Sequence, residues 1–199
     1  MNIKLSYYLL IIFFLSSCES IDLPKPNAYL SLDFPEPNYS KIKFDNTNVS
    51  LEVNSAKTTL FDNTSASNSE LLLSKTLTYP LIKAEILLEY FKLNKSNNLN
   101  DRLKYLSDFT AIHLKKSLNP PTVQEFVNEK KKVFASIINI KGDITSPYQF
   151  YATDSTNNLI IGILNLKHKT KYDSVLPALN YLKNDIYHLI ESLNWNVNN

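Results

Sequence analysis

Glycine is nearly absent from this 199-residue chain, which contains only Gly142 and Gly162. Phosphate-binding loops and dinucleotide fingerprints place two or three glycines within one short loop, because the backbone must approach the phosphates closely. Two glycines twenty residues apart exclude both motifs. We therefore expect no nucleotide partner.

An excess of charge of either sign is also missing. The chain has 21 basic and 19 acidic residues, a formal net charge of +2. Nucleic-acid-binding proteins usually carry a basic stripe with stacking aromatic residues, and we find none. The densest basic run, at residues 130–132, is more typical of a solvated strand end than of a binding patch. The sequence thus predicts no nucleic-acid partner.

Cysteine and histidine are too few for a disulfide framework or a zinc site. Cys18 is the only cysteine. The three histidines, His113, His168 and His188, lie far apart without the spacing of metal ligands. We expect His113 to border an apolar helix face and His168 to lie at a solvated strand end. No metal and no cofactor are predicted.

The N-terminus carries a targeting signal. Lys4 precedes an apolar run at residues 5–15, which is shorter than the roughly 20 residues of a spanning helix and typical of a signal-peptide core. The run ends in Leu-Ser-Ser-Cys at residues 15–18, which resembles the lipobox of bacterial lipoproteins. We predict that residues 1–17 are removed and that Cys18 is lipidated, holding the protein at a membrane surface. The alternative is an ordinary secretory signal followed by an incidental cysteine.

The rest of the chain divides into a tether and one domain. Residues 18–27 are polar and contain Pro24 and Pro26, which suits a short extended tether. With 44% hydrophobic residues, the chain is long enough for one sizeable core and short for two. We therefore predict a single domain over residues 28–199.

A hairpin is predicted at the centre of that domain. Two apolar runs, at residues 148–153 and 159–166, flank the five polar residues 154–158, a pattern typical of two strands and a turn. The second run is apolar at nearly every position, so both of its faces should be covered. The sequence thus predicts a central hairpin between two layers.

Periodicity predicts two helices. Leu99, Leu103, Leu106, Thr110 and Leu114 recur three and four residues apart, with capping residues at 97–98 and 100–101. A second apolar face runs from Val175 to Leu193, with Ser174 as N-cap, Asp185 and Glu191 facing outwards, and Trp195 packing back on the core. Further strands are predicted at residues 29–34, 49–53 (outer and half-exposed), 71–79, and 131–141 together with Phe126 and Val127, with a loop at residues 62–69. Residues 82–91 fit the period of a helix or of a strand, and the resemblance described below favours a strand.

This order of strands and helices predicts the fold class. The strand connections are short, and short connections join antiparallel neighbours. We predict an α+β fold, a largely antiparallel sheet with a helix packed on each face, forming an α/β/α sandwich.

Several segments together resemble the GldD gliding motility lipoproteins of the Bacteroidetes. The resemblance covers nearly the whole mature chain and is most specific from Ser146 to Trp195. This chain lacks two cysteines of the family pattern, so no disulfide is carried over. The segments that carry the resemblance are residues 24–29, 32–35, Tyr39, 146–147, 149–151, 153–156, Gly162, 173–174, Pro177, 185–186, 188–189 and Trp195.

The resemblance implies a function. GldD-like proteins are envelope lipoproteins required for gliding motility and linked to the type IX secretion machinery. We accordingly expect a structural or assembly component without catalytic residues. Its partners would be the membrane, through the lipid on Cys18, and other gliding and secretion proteins. We favour the outer membrane, facing the periplasm, over the inner membrane.

One polar constellation suggests an alternative. Asp154, Ser155 and Thr156 lie in the hairpin turn, and Gln149 and His188 complete a candidate functional surface. A hydrolase needs a nucleophilic hydroxyl with a base and a base-orienting group, and Ser155, His188 and Asp185 are residues of those types. Asp185 and His188 are also spaced to pair with each other on a helix, and the turn residues are also typical of turns that bind no ligand. The alternative is an envelope hydrolase or glycan-binding protein that uses the turn.

Overall fold

The computed structural model describes residues 33–56, 58–65, 72–95, 97–117, 119–168 and 171–196. The predicted signal peptide, Cys18 and the tether lie outside these residues. Of the predicted strand at residues 29–34, only Asp33 and Phe34 are described, and neither is in a strand. Neither of the two described helices has the length and apolarity that crossing a membrane requires.

The described part of the chain contains nine strands and two helices. Helix α1 is Leu99–Leu114 and helix α2 is Tyr172–Ser192. The strands are β1 (Tyr39–Lys43), β2 (Ser50–Asn54), β3 (Thr59–Ser65), β4 (Leu72–Tyr79), β5 (Ala84–Lys92), β6 (Thr122–Asn128), β7 (Val133–Asn139), β8 (Tyr148–Thr153) and β9 (Asn158–Leu166).

Seven of these strands form one antiparallel sheet. Their order is β3-β4-β5-β9-β8-β7-β6, and every neighbouring pair is antiparallel. Strands β1 and β2 form a separate antiparallel pair. The predicted α+β class with a largely antiparallel sheet is confirmed.

The predicted central hairpin is also confirmed, as β8 and β9. Strand β9 is the middle strand of the seven. Its alternate residues belong to two different cores: Leu159, Ile161 and Ile163 cluster with Leu106 of α1, and Ile160 and Leu164 cluster with the apolar face of α2. One helix on each face of the sheet would produce this division.

Three strands were not predicted. Residues 62–65, expected in a loop, form the end of β3, and Phe126 and Val127 form part of the separate strand β6 rather than an extension of β7. Both strands are edges of the sheet. Strand β1 pairs only with β2. Such strands need fewer apolar residues than central ones, so their sequence pattern is weak.

The expectation that β2 is half-exposed is wrong. Ser50, Leu51, Val53 and Asn54 are all buried. The cause is α2, which lies along this strand and hydrogen-bonds to it, as described below. Only Glu52 in the middle of the strand is partly exposed.

Helix α1 begins as predicted, and α2 begins earlier than predicted. The Asn98 side chain accepts a hydrogen bond from the Asp101 amide. For α2, the first helical residue is Tyr172 rather than Val175, because Asp143 accepts a hydrogen bond from the Tyr172 amide at 2.9 Å. This cap comes from 29 residues away in the sequence, so no local pattern indicated it.

The apolar face of α2 is confirmed, but one polar residue is not where we expected it. Leu179, Leu182, Ile186 and Leu189 are buried, and Glu191 is exposed as predicted. Asp185, predicted to face outwards, is only 3% exposed. It lies in the polar contact between α2 and the β1–β2 pair.

The end of the chain packs on the core as predicted. Trp195 is 3% exposed. Its indole Nε1 donates a hydrogen bond to the Lys132 carbonyl at 2.9 Å. This contact ties the segment after α2 to the turn between β6 and β7.

Candidate functional site

Polar side chains gather at two places in the described structure. The first is the hairpin turn, residues 154–158 between β8 and β9. The second we call the polar seam, where one face of α2 meets the β1–β2 pair. The seam consists of Tyr39, Glu52, Asn54, Tyr181, Asp185, His188 and Ser192.

The hairpin turn is organised by the Asp154 carboxylate. Its Oδ1 accepts hydrogen bonds from the backbone amides of Thr156, Asn157 and Asn158, at 2.9, 2.7 and 2.9 Å. Its Oδ2 accepts from Asn158 Nδ2 at 2.6 Å. Asp154 therefore does what aspartate typically does in turns, holding its own backbone.

Two further side chains fasten this turn to the sheet. Thr153 Oγ1 accepts from the Ser155 amide at 2.9 Å and donates to the Asn158 carbonyl at 2.7 Å. Asn158 Oδ1 accepts from the Tyr90 hydroxyl of β5 at 2.8 Å. Ser155 has φ = 67°, in the left-handed region that non-glycine residues rarely adopt. The backbone of the turn is thus held by the side chains of Thr153, Asp154 and Asn158.

The pKa of Asp154 reflects these bonds. Partial burial on its own raises the pKa of this carboxyl group. The hydrogen bonds from the amides of Asn158, Asn157 and Thr156 and from the Asn158 side chain outweigh burial, so the pKa is lowered overall. The turn therefore favours an ionised Asp154.

In the polar seam, the central group is the buried carboxylate of Asp185. Tyr181, Asp185 and His188 lie four and three residues apart and so share one face of α2. The Tyr39 hydroxyl donates to Asp185 Oδ1 at 2.9 Å. Asn54 Nδ2 donates to Asp185 Oδ2 at 3.0 Å. One carboxylate thus joins α2 to both β1 and β2.

The orientation of Asn54 is fixed by its other bonds. Its Oδ1 accepts from the Asn38 amide at 3.2 Å and from the Ala56 amide at 3.0 Å. Its Nδ2 also donates to the Tyr181 hydroxyl at 2.8 Å, and that hydroxyl donates to the Pro35 carbonyl at 3.1 Å. Because both ends of the amide are in use, Asn54 cannot turn over without losing bonds.

His188 extends the seam towards the C-terminal end of α2. Its Nε2 lies 2.8 Å from Glu52 Oε2. Its ring stacks on Tyr39 with the ring centroids 3.5 Å apart. Ser192 Oγ accepts from the Glu52 amide at 2.9 Å. His188 is therefore engaged with the β1–β2 pair.

Burial is the largest cause of the pKa shifts of Asp185 and Tyr39. It raises the pKa of Asp185, although hydrogen bonds from Asn54 and Tyr39 oppose the shift. It also raises the pKa of Tyr39, with the Asp185 carboxylate adding to the shift. The pKa of Tyr79 is raised in the same way, first by burial and then by the Asp185 carboxylate.

Gln149, predicted on a functional surface, is fully buried. Its Oε1 accepts from the Thr110 hydroxyl of α1 at 2.5 Å, and its Nε2 donates to the Ser146 carbonyl at 3.3 Å. It fastens α1 to β8 and so is not part of an exposed surface.

The predicted site residues do not form one cluster. Ser155 and Thr156 are exposed in the hairpin turn with Asp154. His188 is bonded to Glu52, and Asp185 is bonded to Tyr39 and Asn54 rather than to His188. The described contacts give no support to a catalytic trio of Ser155, His188 and Asp185.

The remaining histidines are placed as expected. His113 is half-buried and packs against Phe109 on α1, with the ring centroids 4.6 Å apart. His168 is exposed just after β9. In the ranges that the structure describes, no three His, Cys, Asp or Glu side chains are grouped so that they could hold a metal ion.

The chain matches a model of a known protein family. A family model described as "Gliding motility lipoprotein GldD" matches residues 19–195. No curated protein and no solved structure matches the chain.

Proposed function

Because the chain belongs to the GldD family of gliding motility lipoproteins, we propose that it is a structural or assembly component of the gliding apparatus, linked to type IX secretion. The observation that carries this proposal is the family match, which extends over most of the chain. The match begins at residue 19, directly after Cys18.

The geometry of the polar residues supports a structural role. In the seam, Asp185 accepts hydrogen bonds from Tyr39 and Asn54, and the Asn54 amide makes further bonds within the fold. In the turn, Asp154 accepts hydrogen bonds from the backbone amides of the next residues in the same turn. Among the described contacts, these bonds hold elements of the fold together, and none joins the Ser155 hydroxyl to a base, as a nucleophile would require.

We further propose that a lipid on Cys18 anchors the protein in the outer membrane, with the domain in the periplasm. A Cys18→Ala variant should lose metabolic labelling with palmitate in the native host. Ser17→Ala, which retains a small residue before the cysteine, is the matched control and should still be labelled. Continued labelling of Cys18→Ala would contradict the anchor.

The assembly role predicts physical partners among other gliding and secretion proteins. We would crosslink envelopes of the native host, capture the tagged protein and identify the captured proteins by mass spectrometry. Cys18→Ala expressed at equal abundance serves as the control for anchor-dependent capture. Recovery of gliding or type IX secretion subunits by the wild type supports the proposal. Recovery of none at normal abundance would contradict it.

A further inference from the structure

The chain arrives in the domain beside the turn between β4 and β5. Phe34 stacks on Tyr181 with ring centroids 4.9 Å apart. Pro35 accepts a hydrogen bond from the same tyrosine. Phe34 and Pro35 also line a cleft with Leu81 and Ile82 of the turn. Anything attached to the residues before Asp33 is therefore attached beside this turn.

That turn is part of a continuous surface at one end of the sheet, which we call the anchor end. It comprises residues 80–83, 141–147 and 167–168, the end of α1 at residues 115–117 and the start of α2 at residues 171–173. Hydrogen bonds join these segments. They are Lys167 N to Lys83 O at 2.8 Å, Leu166 N to Thr145 O at 2.7 Å, Ser117 Oγ to Lys141 O at 3.0 Å and Tyr172 N to Asp143 Oδ1 at 2.9 Å.

The anchor end has one exposed apolar side chain in the β4–β5 turn and more exposed lysines than exposed acidic residues. Leu81 in the β4–β5 turn is 55% exposed. The exposed lysines are Lys83, Lys115, Lys116, Lys141, Lys167 and Lys171, and the exposed acidic residues at or beside this end are Asp33, Glu36, Asp143 and Asp173. An exposed apolar side chain among lysines is suited to the headgroup region of an anionic membrane.

Charge alone does not distinguish this end from the other. Lysines also surround the opposite turns, including residues 130–132. None of the described turns at that opposite end carries an exposed large hydrophobic residue. Val127 of β6 is 60% exposed near that opposite end, so it is the arrival of the chain at Phe34 that distinguishes the anchor end.

We propose that the anchor end faces the membrane, with Leu81 in the headgroup layer and the surrounding lysines on anionic lipid headgroups. This rests on the proposed lipidation of Cys18. The predicted tether of ten residues, 18–27, reaches at most about 35 Å when fully extended. A tether of this length lets the anchor end, where the chain enters the domain, lie against the membrane.

Quenching by brominated lipid tests this orientation. The lipidated mature chain is reconstituted in vesicles of phosphatidylethanolamine and phosphatidylglycerol, with a fraction of lipid brominated close to the headgroup. The variants are Leu81→Trp and, as the matched control, Val127→Trp, since Val127 is 60% exposed on β6. The native Trp195 is buried and gives the same background in both. We expect bromine to quench the new tryptophan at position 81 and not the one at 127.

Charge reversal tests the contribution of the lysines. Lys83→Glu with Lys167→Glu should reduce quenching at position 81, since each lysine lost weakens attraction to an anionic surface about fivefold. Lys95→Glu with Lys130→Glu, at the opposite end, is the matched control and should leave quenching unchanged. Equal effects of the two pairs would contradict a specific role for the anchor end.

Flotation of the same vesicles tests the lipid anchor on Cys18 separately from the orientation of the anchor end. Vesicles that carry the chain but do not quench position 81 more than position 127 would overturn the orientation and leave the anchor intact. A chain that does not float with the vesicles would contradict the lipid anchor, and the orientation would fall with it.

Discussion

The hairpin turn and the polar seam use the same kinds of residue over very different distances in the chain. Asp154 binds partners at most four residues away. Asp185 binds Tyr39 and Asn54, which are 146 and 131 residues away. A local sequence pattern can therefore predict a turn of this kind. The seam can be identified only from the folded structure, because its two sides are far apart in the sequence.

The two aspartates also differ in their electrostatics. In the partly exposed turn, backbone amides outweigh burial and lower the pKa of Asp154. In the seam, burial outweighs the hydrogen bonds and raises the pKa of Asp185. The seam should therefore be costlier to break, because Asp185 and Asn54 are buried and a donor left there without its acceptor is desolvated.

The largest effect should come from Asp185→Ala. This change leaves the Tyr39 hydroxyl and one Asn54 donor without their acceptor in a buried place, which should lower the free energy of unfolding by about 3 kcal/mol. Urea denaturation of the mature chain measures this. Glu191→Ala, on the exposed side of the same helix, should stay within about 0.5 kcal/mol of wild type. Equal effects of the two variants would contradict the seam.

Gly162→Ala tests the hairpin beneath the turn. A Cβ at this position would overlap the Phe150 ring of the paired strand. Overpacking of this kind should cost about 2 kcal/mol in the free energy of unfolding. In a Phe150→Leu background the same change should cost less, because the ring is gone. A cost that is unchanged in the double variant would show that Phe150 is not the cause.

Asp154→Ala should have a smaller effect than Asp185→Ala. It removes the acceptor for three backbone amides, but these amides lie in a turn where water can reach them. We expect a loss of about 1.5 kcal/mol in the free energy of unfolding. Thr156→Ala in the same exposed turn should stay within about 0.5 kcal/mol of wild type.

The losses of free energy of unfolding in Asp154→Ala and Asp185→Ala should change with pH in opposite directions. Because the pKa of Asp154 is lower in the folded than in the unfolded protein, its ionised carboxylate adds to the free energy of unfolding above the unfolded-state pKa of about 3.9. This stabilisation is lost as pH falls through the folded-state pKa. Because the pKa of Asp185 is higher in the folded than in the unfolded protein, protonation of Asp185 adds to the free energy of unfolding below the unfolded-state pKa of about 3.9. This stabilisation is lost as pH rises through the folded-state pKa. On acidification, the cost of Asp154→Ala should shrink and that of Asp185→Ala should grow. If urea denaturation at a series of acidic pH values shows the same trend for both variants, the pKa values of Asp154 and Asp185 are not shifted in opposite directions.

The smallest effect should be a gain from Ser155→Gly. The left-handed conformation of Ser155 is strained for a side-chain-bearing residue and free of strain for glycine. We expect the free energy of unfolding to rise by about 0.5 kcal/mol. Thr156→Gly, where the conformation is not left-handed, should instead destabilise the protein. A loss for both variants in thermal unfolding would show that strain at Ser155 is not relieved.

The elements that were predicted correctly have strong local patterns. Strand β9 is apolar along its length, and α2 repeats its apolar residues over five turns. The turn at Asp154 has the residue types of an Asx turn. In each case the information lies within about twenty consecutive residues, so the sequence shows it directly.

The elements that were missed depend on distant partners. Strands β3 and β6 lie at sheet edges, where few apolar residues are needed. Asp185 looked like an outward-facing residue of α2 because its partners lie in β1 and β2. Polar residues four and three apart on α2, at Tyr181, Asp185 and His188, were the available signal. Without the position of the β1–β2 pair, that signal could not be distinguished from a solvated face.

Gliding of the native host shows whether the Ser155 hydroxyl of the hairpin turn is dispensable and whether the Cys18 anchor is needed. A strain without the gene is complemented with wild type, Ser155→Ala or Cys18→Ala, and abundance is matched by immunoblot. We expect Ser155→Ala to restore gliding and Cys18→Ala to fail to restore it. Loss of gliding with Ser155→Ala at normal abundance would contradict this expectation and would favour a hydrolase or glycan-binding protein that uses the turn.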